Sequence, residues 1–133
     1  MEKKTVLISG GTSGIGLASA RLCARAGMNV VINGRNEERG LQALHEVEPF
    51  GNVMYVKGDV TVEDDCQRMV EAAVSTFGNL TGLVTSAGYY RQELLENEKS
   101  EEIRRIFEVN VFGTVLLCRA AYGALKKHGG SIV

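Results

Sequence analysis

The stretch ISGGTSGIG, residues 8–16, contains four glycines and stands directly behind the apolar run Val6-Leu7-Ile8. Each glycine loses more backbone freedom on folding than any other residue, so this density disfavours the interior of a helix or a strand. Glycine is also the residue that lets a backbone turn tightly or approach another group closely. The stretch therefore predicts a loop against which another backbone or a ligand lies.

Strand and helix patterns alternate along the whole chain, beginning with the strand in front of this loop. Short apolar runs predict five strands, at residues 5–9, 29–33, 53–57, 80–85 and 131–133, of which the first two are expected to be buried. Apolar residues at helical spacing predict four helices, at residues 14–26, 36–47, 61–77 and 100–129, counted with their capping residues. This alternation is typical of βαβ units, whose right-handed crossovers give a parallel sheet with helices on both faces.

Two of the predicted helices begin at residues suited to capping. Asn36 is expected to cap the second helix, with Glu37 and Glu38 placed favourably in the first turn. Thr61 is expected to cap the third helix, with Asp64 as the acidic partner of a capping box.

The patterns predict one α/β domain over residues 1–133, built as a doubly wound parallel sheet in three layers. The fifth apolar run stops at Val133, so we expect the sheet to be incomplete after the fifth strand. Ligands of such sheets lie at the carboxyl ends of the strands, near the point where the strand order reverses. The glycine-rich loop leaves the first strand and opens the first helix, which puts it at that place.

A helix N-terminus with glycines in front of it favours binding of a phosphate. Its N–H groups lack partners within the helix and carry partial positive charge, and Thr12 and Ser13 add hydroxyl donors. A Walker-type phosphate loop would need Lys and then Ser or Thr after the last glycine, whereas Leu17-Ala18 follows Gly16 here. A tight glycine turn without a ligand stays open as an alternative.

The glycine spacing is Gly10-x-x-x-Gly14-x-Gly16, and with it the chain resembles the short-chain dehydrogenase/reductase family. The fingerprint of that family is T-G-x-x-x-G-[IL]-G, and Ser9 stands where the family usually has Thr. The resemblance implies a Rossmann-type fold that binds a dinucleotide. The residues it assigns to the cofactor in this loop are Gly10, Thr12, Ser13, Gly14, Ile15 and Gly16.

Further landmarks follow in the order of that family and extend the resemblance over essentially the whole chain. Asp59-Val60 follows the third strand, where family members hold the adenine. Thr85-Ser86-Ala87-Gly88 matches the family's N-N-A-G, which implies that Ala87 and Gly88 lie beside the cofactor. V-N-V-F-G contains Asn110, which matches the asparagine of the long helix, and G-G-S-I-V matches the start of the fifth strand.

The end of the second strand bears on the choice of cofactor. An acid at this place holds the ribose hydroxyls of NAD and repels a 2′-phosphate, but the sequence here is Asn33-Gly34-Arg35-Asn36. Arg35 offers charged donors to a phosphate dianion. We therefore expect NADP(H) to be preferred, with NAD(H) possible, and Arg35 and Asn36 to contact it. An Arg35 that is only a solvated loop residue, paired with Glu38, is the alternative.

The resemblance implies hydride transfer between the nicotinamide and a carbonyl or alcohol carbon of a small molecule. In the family a Ser and a Tyr-x-x-x-Lys act on the substrate, and the helix asparagine completes a water-linked proton path. The Ser, Tyr and Lys positions would follow Val133, so Asn110 is the catalytic residue expected within this chain, and the chain alone is expected to be inactive.

A literal Y-x-x-x-K occurs at Tyr122 and Lys126, but before the fifth strand. At about 1.5 Å per residue, Tyr122 lies roughly 18 Å further along the helix than Asn110, so it should point away from the site. Ser131 precedes the strand and likewise does not match the family's serine.

Two functions of different class remain from the sequence. The first is the cofactor-binding half of an NAD(P)-dependent oxidoreductase. The second is a non-catalytic NADP(H)-binding module. The segment that begins at Tyr89-Tyr90 has two interpretations, a substrate contact and a surface loop, and the loop is the simpler one.

Composition limits the partners of the chain. A net charge of -1 and a hydrophobic share of 44% indicate neither disorder nor a nucleic-acid surface. The N-terminal apolar run is too short for a signal-peptide core or a membrane span. Three widely spaced cysteines and two isolated histidines predict free thiols, no metal site and a cytoplasmic location. Apolar positions on the long helix predict a homo-oligomer formed through it.

Overall fold

The computed structural model describes residues 2–133. Strands and helices alternate along these residues as the sequence predicts. The elements are β1 Thr5–Ser9, α1 Gly14–Arg25, β2 Asn29–Gly34, α2 Glu37–Val47, β3 Val53–Lys57, α3 Glu63–Phe77, β4 Gly82–Thr85, α4 Ser100–Phe107, α5 Thr114–His128 and β5 Ser131–Ile132. Short 3₁₀ turns lie at Glu48–Phe50 and Leu95–Asn97.

All five strands are parallel and lie in the order β3-β2-β1-β4-β5. From β1 the chain builds outward through β2 to β3, then returns to place β4 on the other side of β1. Leu7 of β1 is level with Val31 of β2 and Leu83 of β4. The strand order therefore reverses between β1 and β4, and their carboxyl ends border the crevice where doubly wound sheets bind ligands.

The central strands β1 and β2 are buried on both faces because their side chains alternate between two cores, whereas the edge strand β5 is exposed. Val6 and Ile8 pack on one face against α1 and α2, whereas Leu7 packs on the other face against α3 and α5. The predicted α/β fold with three layers is confirmed. The central residues of the first core are Ile8, Ala20, Ala24, Val30, Ile32, Ala43 and Val47. Those of the second are Leu7, Val31, Cys66, Met69, Ala73, Leu83, Leu117 and Ala121.

Element boundaries differ from the prediction by one or two residues. β2 extends to Gly34, since Gly34 still pairs with Lys57 of β3. β4 begins at Gly82 rather than at residue 80, because the Thr81 hydroxyl donates to the Thr5 carbonyl at 3.1 Å and accepts from the Thr5 N–H at 3.2 Å. α1 ends at Arg25, one residue before the prediction.

One predicted helix cap is confirmed and one is wrong. Asn36 caps α2, since its Oδ1 accepts from the Arg39 N–H at 2.9 Å. Thr61 with Asp64 does not cap α3, which begins at Glu63 with no side-chain bond to its first turn. The N–H and the hydroxyl of Thr61 instead donate to Asp59 Oδ1, at 2.9 and 2.7 Å. Thr61 therefore lies one residue outside the N-cap position, which Val62 occupies, and its side chain is used within the loop.

The long helix is continuous from Ser100 to His128 because a π-helical segment, Glu108–Gly113, joins α4 to α5. Its predicted end at Gly129 is confirmed, where φ is 62°. This helix is long and apolar enough to cross a membrane by length and composition alone, with a mean hydropathy of 1.2 in its most apolar window. A helix that packs one side on the core of an α/β protein meets the same criteria, and α5 buries Leu116, Leu117, Ala121 and Leu125 in that way.

Candidate functional site

A cavity of about 400 Å³ opens at the carboxyl ends of the strands, on the crevice between β1 and β4. The loops that follow β1, β2, β3 and β4 all contribute to its wall. The lining residues are Gly10, Thr12, Ser13, Gly14, Ile15, Asn33, Gly34, Arg35, Asn36, Arg39, Gly58, Asp59, Val60, Ser86, Ala87, Gly88 and Val109.

Three glycines shape the loop between β1 and α1. Gly10 has a φ of 62°, and a Cβ there would lie 2.7 Å from the Ser86 carbonyl oxygen. A Cβ on Gly16 would overlap the carbonyl oxygen of Gly10, so the start of α1 folds directly against the loop. Gly14, with a φ of 54°, has nothing within 4 Å of its Cβ position and faces the open cavity. Two glycines thus permit packing, and the third leaves space for a ligand.

The N-terminus of α1 is open toward the cavity. Ser13 precedes it in an extended conformation and makes no side-chain cap, and the first turn holds no acidic residue. The N–H groups of this turn are therefore available to an anion, and the helix dipole favours negative charge beside them.

The segment after β4 closes the opposite side of the crevice. The Ala87 N–H donates to the Ser9 hydroxyl at 3.2 Å, which ties this segment to the end of β1. Thr85 donates its N–H and its hydroxyl to the Val133 carbonyl, at 2.8 and 3.1 Å. Ala87 and Gly88 are thereby held at the cavity edge.

The loop after β3 carries the one acidic group that lines the cavity. Asp59 accepts two hydrogen bonds from Thr61, and its own N–H donates to Asp65 Oδ2 at 2.8 Å. That backbone bond is the main cause of the lowered pKa of Asp65, to which Arg68 also contributes. The loop is thus stabilised by its own polar groups, and Val60 adds an apolar surface beside Asp59.

The turn after β2 supplies the basic part of the wall. Arg35, Asn36 and Arg39 line the cavity together, and Arg35 also borders two neighbouring cavities of about 290 and 420 Å³. Over residues 2–133 no carboxylate lies within 4.0 Å of the Arg35 guanidinium, so the alternative pairing with Glu38 is not formed.

Asn110 lies beside the cavity, in the π-helical segment, but does not line it. Its Oδ1 accepts from the Tyr89 N–H at 2.6 Å, and its Nδ2 donates to the Tyr89 carbonyl at 2.9 Å. The Asn110 carbonyl accepts from the Thr114 hydroxyl at 2.9 Å. The Asn110 side chain thus fixes the loop after β4 to the long helix, next to Gly88.

Tyr89 is also held through its side chain. Its hydroxyl donates to Glu102 Oε2 at 2.7 Å, and the Arg105 guanidinium lies 4.5 Å from its ring centre. The bond to Glu102 raises the pKa of Tyr89 and lowers that of Glu102. Arg91 adds ion pairs of 3.4 to 3.8 Å with Glu93, Glu98 and Glu102.

Of the twelve cofactor-binding residues expected from the sequence, eleven line the cavity, and Gly16 lies beneath the loop. Whether they bind a dinucleotide stays a prediction. The sequence reasoning missed six lining residues. Two of these, Gly58 and Ser86, adjoin motifs that were recognised, and Arg39 stands one helical turn after Arg35. The six are Asn33, Gly34, Arg39, Gly58, Ser86 and Val109.

Two other points that the sequence raised concern the literal Y-x-x-x-K and a metal site. Tyr122 is 60% exposed and does not line the cavity; the Lys126 ammonium lies 5.8 Å from its ring centre, as in an ordinary surface pair. Within the described part of the chain, no group of three or more His, Cys, Asp or Glu side chains is placed to hold a metal ion.

A family model described as short chain dehydrogenase matches residues 4–133. The chain belongs to the short-chain dehydrogenase family. The resemblance carried by its glycine spacing is therefore confirmed, and with it membership of a family of oxidoreductases that use NAD(P)(H).

Similar proteins agree with that assignment. The chain is 39% identical over 131 residues to L-fucose dehydrogenase of Mus musculus, covering 98% of this chain and 47% of that protein. It is 34% identical over 130 residues to carbonyl reductase family member 4 of Danio rerio, covering 98% of this chain and 54% of that protein. A solved short-chain dehydrogenase/reductase from Mycobacterium ulcerans superposes with a TM-score of 0.92 at 33% identity, over 99% of this chain and 50% of the other. The chain spans about half the length of the curated relatives it matches.

We expect Gly10→Ala to destabilise the chain more than Gly27→Ala. Both glycines have positive φ, 62° and 82°, so alanine should cost about 1–2 kcal/mol at either position. At Gly10 the new Cβ would also meet the Ser86 carbonyl oxygen at 2.7 Å, whereas nothing lies within 4 Å at Gly27. Urea unfolding of both variants measures the difference. Equal losses in the free energy of unfolding would contradict the close backbone contact.

We expect Glu102→Gln to lower the pKa of Tyr89 toward the ordinary value of about 10. The Glu102 carboxylate favours the protonated phenol, so its contribution to stability is lost as pH rises through the raised pKa of Tyr89. At the acid end it is present above the ordinary pKa of a glutamate and lost as pH falls through the lowered pKa of Glu102. Tyrosine ring signals in an NMR titration report the midpoint. Glu101→Gln is the control, and a Tyr89 midpoint that is the same in both variants would refute the pairing.

Proposed function

We propose that residues 1–133 form one dinucleotide-binding domain that binds NADP(H) in preference to NAD(H). We propose further that this domain is the cofactor-binding half of an oxidoreductase that transfers a hydride between the nicotinamide and a carbonyl or alcohol carbon. The observation that carries the proposal is the cavity itself, where the open N-terminus of α1 and a basic turn meet across a glycine-rich loop.

The residues present fit a dinucleotide along the length of the cavity. Gly14 leaves space beside the uncapped first turn of α1, which suits the pyrophosphate. Asp59 and Val60 offer a polar and an apolar surface for the adenine, and Ala87 and Gly88 border the opposite end. When bound, the cofactor donates or accepts a hydride at its nicotinamide ring. The proposed contacts in the first loop also include Gly10, Thr12, Ser13, Ile15 and Gly16.

Charge supports the preference for NADP(H). The turn after β2 has no acid to hold ribose hydroxyls and presents Arg35 and Arg39 to the cavity, with Asn36 between them. A guanidinium forms strong charge-assisted hydrogen bonds with a phosphate dianion. Asp59 is the one acid among the lining residues, and one of its carboxylate oxygens already accepts from Thr61.

The reaction is proposed from the family and from the names of its relatives. A carbonyl reductase and an L-fucose dehydrogenase are both named for redox chemistry at a carbonyl or alcohol carbon, which supports a small-molecule substrate of that kind. Within this chain, Asn110 is the proposed catalytic residue. Its carboxamide is committed to Tyr89, so its part in a proton path would be taken by its backbone carbonyl, which the Thr114 hydroxyl contacts.

The outer side of the long helix supports self-association, and the cysteines support a cytoplasmic location. Phe107, Val111 and Val115 follow one another at intervals of four residues and are 63%, 54% and 56% exposed. A row of this kind on a water-exposed helix favours contact with a second apolar surface. Free thiols at all three cysteines agree with a reducing compartment.

We expect Arg35→Asp to weaken binding of NADPH by about 10- to 100-fold, the loss typical of a charge-assisted hydrogen bond with added repulsion. Binding of NADH should change by less than about threefold, since it lacks the 2′-phosphate. Fluorescence titration of each dinucleotide measures both constants. Lys99→Asp makes the same change of charge at an exposed residue away from the cavity and should leave both unchanged. Equal losses for the two dinucleotides in Arg35→Asp would refute the preference.

We expect the chain to self-associate at high concentration and Phe107→Lys to shift it toward monomer, since a charge would replace an exposed aromatic ring in the apolar row. Sedimentation velocity at several concentrations measures the distribution. Leu22→Lys alters a side chain on α1 that is 66% exposed and serves as the matched control. A single monomer boundary for the unaltered chain at every concentration would rule out self-association through this helix.

A further inference from the structure

Tyr55 occupies a notch between the edge strand β3 and helix α2. Its ring packs on Gly40, which is buried, and a Cβ added to Gly40 would overlap the ring carbons. Gly40 therefore provides the space that the tyrosine ring fills. The ring is held between the sheet and the helix that follows the basic turn.

The Tyr55 hydroxyl reaches the backbone of that turn. It donates to the Gly34 carbonyl at 2.8 Å and lies 3.3 Å from the Asn36 carbonyl. The two carbonyls flank Arg35 on either side. Burial and the nearby Glu37 carboxylate raise the pKa of Tyr55, so the hydroxyl keeps its proton at neutral pH.

Other groups hold the turn at its two ends. The Asn33 side chain donates to the carbonyls of Val56 and Gly58, both at 3.0 Å. The Gly58 N–H donates to the Gly34 carbonyl at 3.2 Å, and the Thr12 side chain lies against Gly34, 2.6 Å from its Cβ position. At the helix end the Asn36 side chain accepts from the Arg39 N–H and the Asn36 carbonyl accepts from the Gly40 N–H, both at 2.9 Å. The Tyr55 hydroxyl is the group that spans Arg35, from Gly34 to Asn36.

We propose that Tyr55 is a positioning residue for cofactor selection: its hydroxyl sets the backbone on both sides of Arg35, so that the guanidinium faces the 2′-phosphate. This inference rests on the proposed preference for NADP(H). Tyr55 does not line the cavity and acts through Arg35. Preorganisation of this kind lowers the cost of ordering a flexible arginine on binding.

Tyr55→Phe tests the proposal because it keeps the ring in the Gly40 notch and removes only the hydroxyl. We expect NADPH to bind about two- to tenfold more weakly, as for the loss of one hydrogen bond, and NADH to change by less than about 1.5-fold. The backbone amide signals of residues 34–36 should move in an NMR spectrum of the chain without cofactor. Tyr122→Phe, at an exposed position away from the cavity, should change none of these quantities.

A second variant changes the contact between Tyr55 and helix α2 on the helix side. Gly40→Ala should displace the Tyr55 ring, shift the amide signals of residues 34–36 and weaken NADPH binding more than NADH binding. Gly123→Ala is its matched control, because that glycine is also helical and has nothing within 4 Å of its Cβ position.

The outcomes separate this inference from the function on which it rests. If the unaltered chain prefers NADPH and Tyr55→Phe keeps the same ratio of the two dissociation constants, the role of Tyr55 is refuted and the NADP(H) preference stands. Equal weakening for both dinucleotides, or unmoved amide signals at residues 34–36, also refutes it. If the unaltered chain binds both dinucleotides equally, the preference for NADP(H) is refuted, and so is the proposed role of Tyr55 in it.

Discussion

Direct packing of one backbone on another, at the point where the strand order reverses, is the constraint on which the candidate site depends. The Cα of Gly10 lies against the backbone of Ser86 and Ala87 with no room for a side chain. Beside it, the Ser9 hydroxyl accepts from the Ala87 N–H. This contact joins the carboxyl ends of β1 and β4. It also directs the N-terminus of α1 into the crevice, so that the geometry of the cavity and its positive end arise from one arrangement.

The loops around the cavity differ in the charge of their side chains. The first turn of α1 holds no acid, whereas α2 and α3 begin with Glu37 and Glu63. The acid that does line the cavity, Asp59, accepts two hydrogen bonds within its own loop. Arg35 has no such local partner among residues 2–133, and its surroundings therefore leave it available to an anion.

Periodicity was enough to predict the fold, because it reflects local backbone requirements. Most of the cavity wall was predicted from the glycine-rich loop together with the resemblance to the family. The strand at Val53–Lys57 and the Asn36 cap have the expected bounds. Long-range side-chain contacts were not visible in the same way. The Thr61 cap was wrong because α3 begins two residues later, at Glu63, while the Thr61 hydroxyl donates to Asp59. The contact of Tyr55 with the carbonyls of Gly34 and Asn36 joins residues about twenty positions apart, and no local pattern indicates it.

The π-helical segment Glu108–Gly113 lets the long helix hold one more residue than a regular α-helix with the same facing would hold. A π turn holds an extra residue relative to an α turn, and each residue rotates a helix by about 100°. Deleting one residue here would therefore let the α pitch run through, with Leu117 and Ala121 still facing the second core. The contact that such a deletion would change is that of Asn110 with Tyr89. A deletion early in α5 has no extra residue to remove, so it would turn Leu117 and Ala121 away from the sheet by about 100°. The π-helical segment is thus the part of the long helix where the loss of one residue should disturb core packing least.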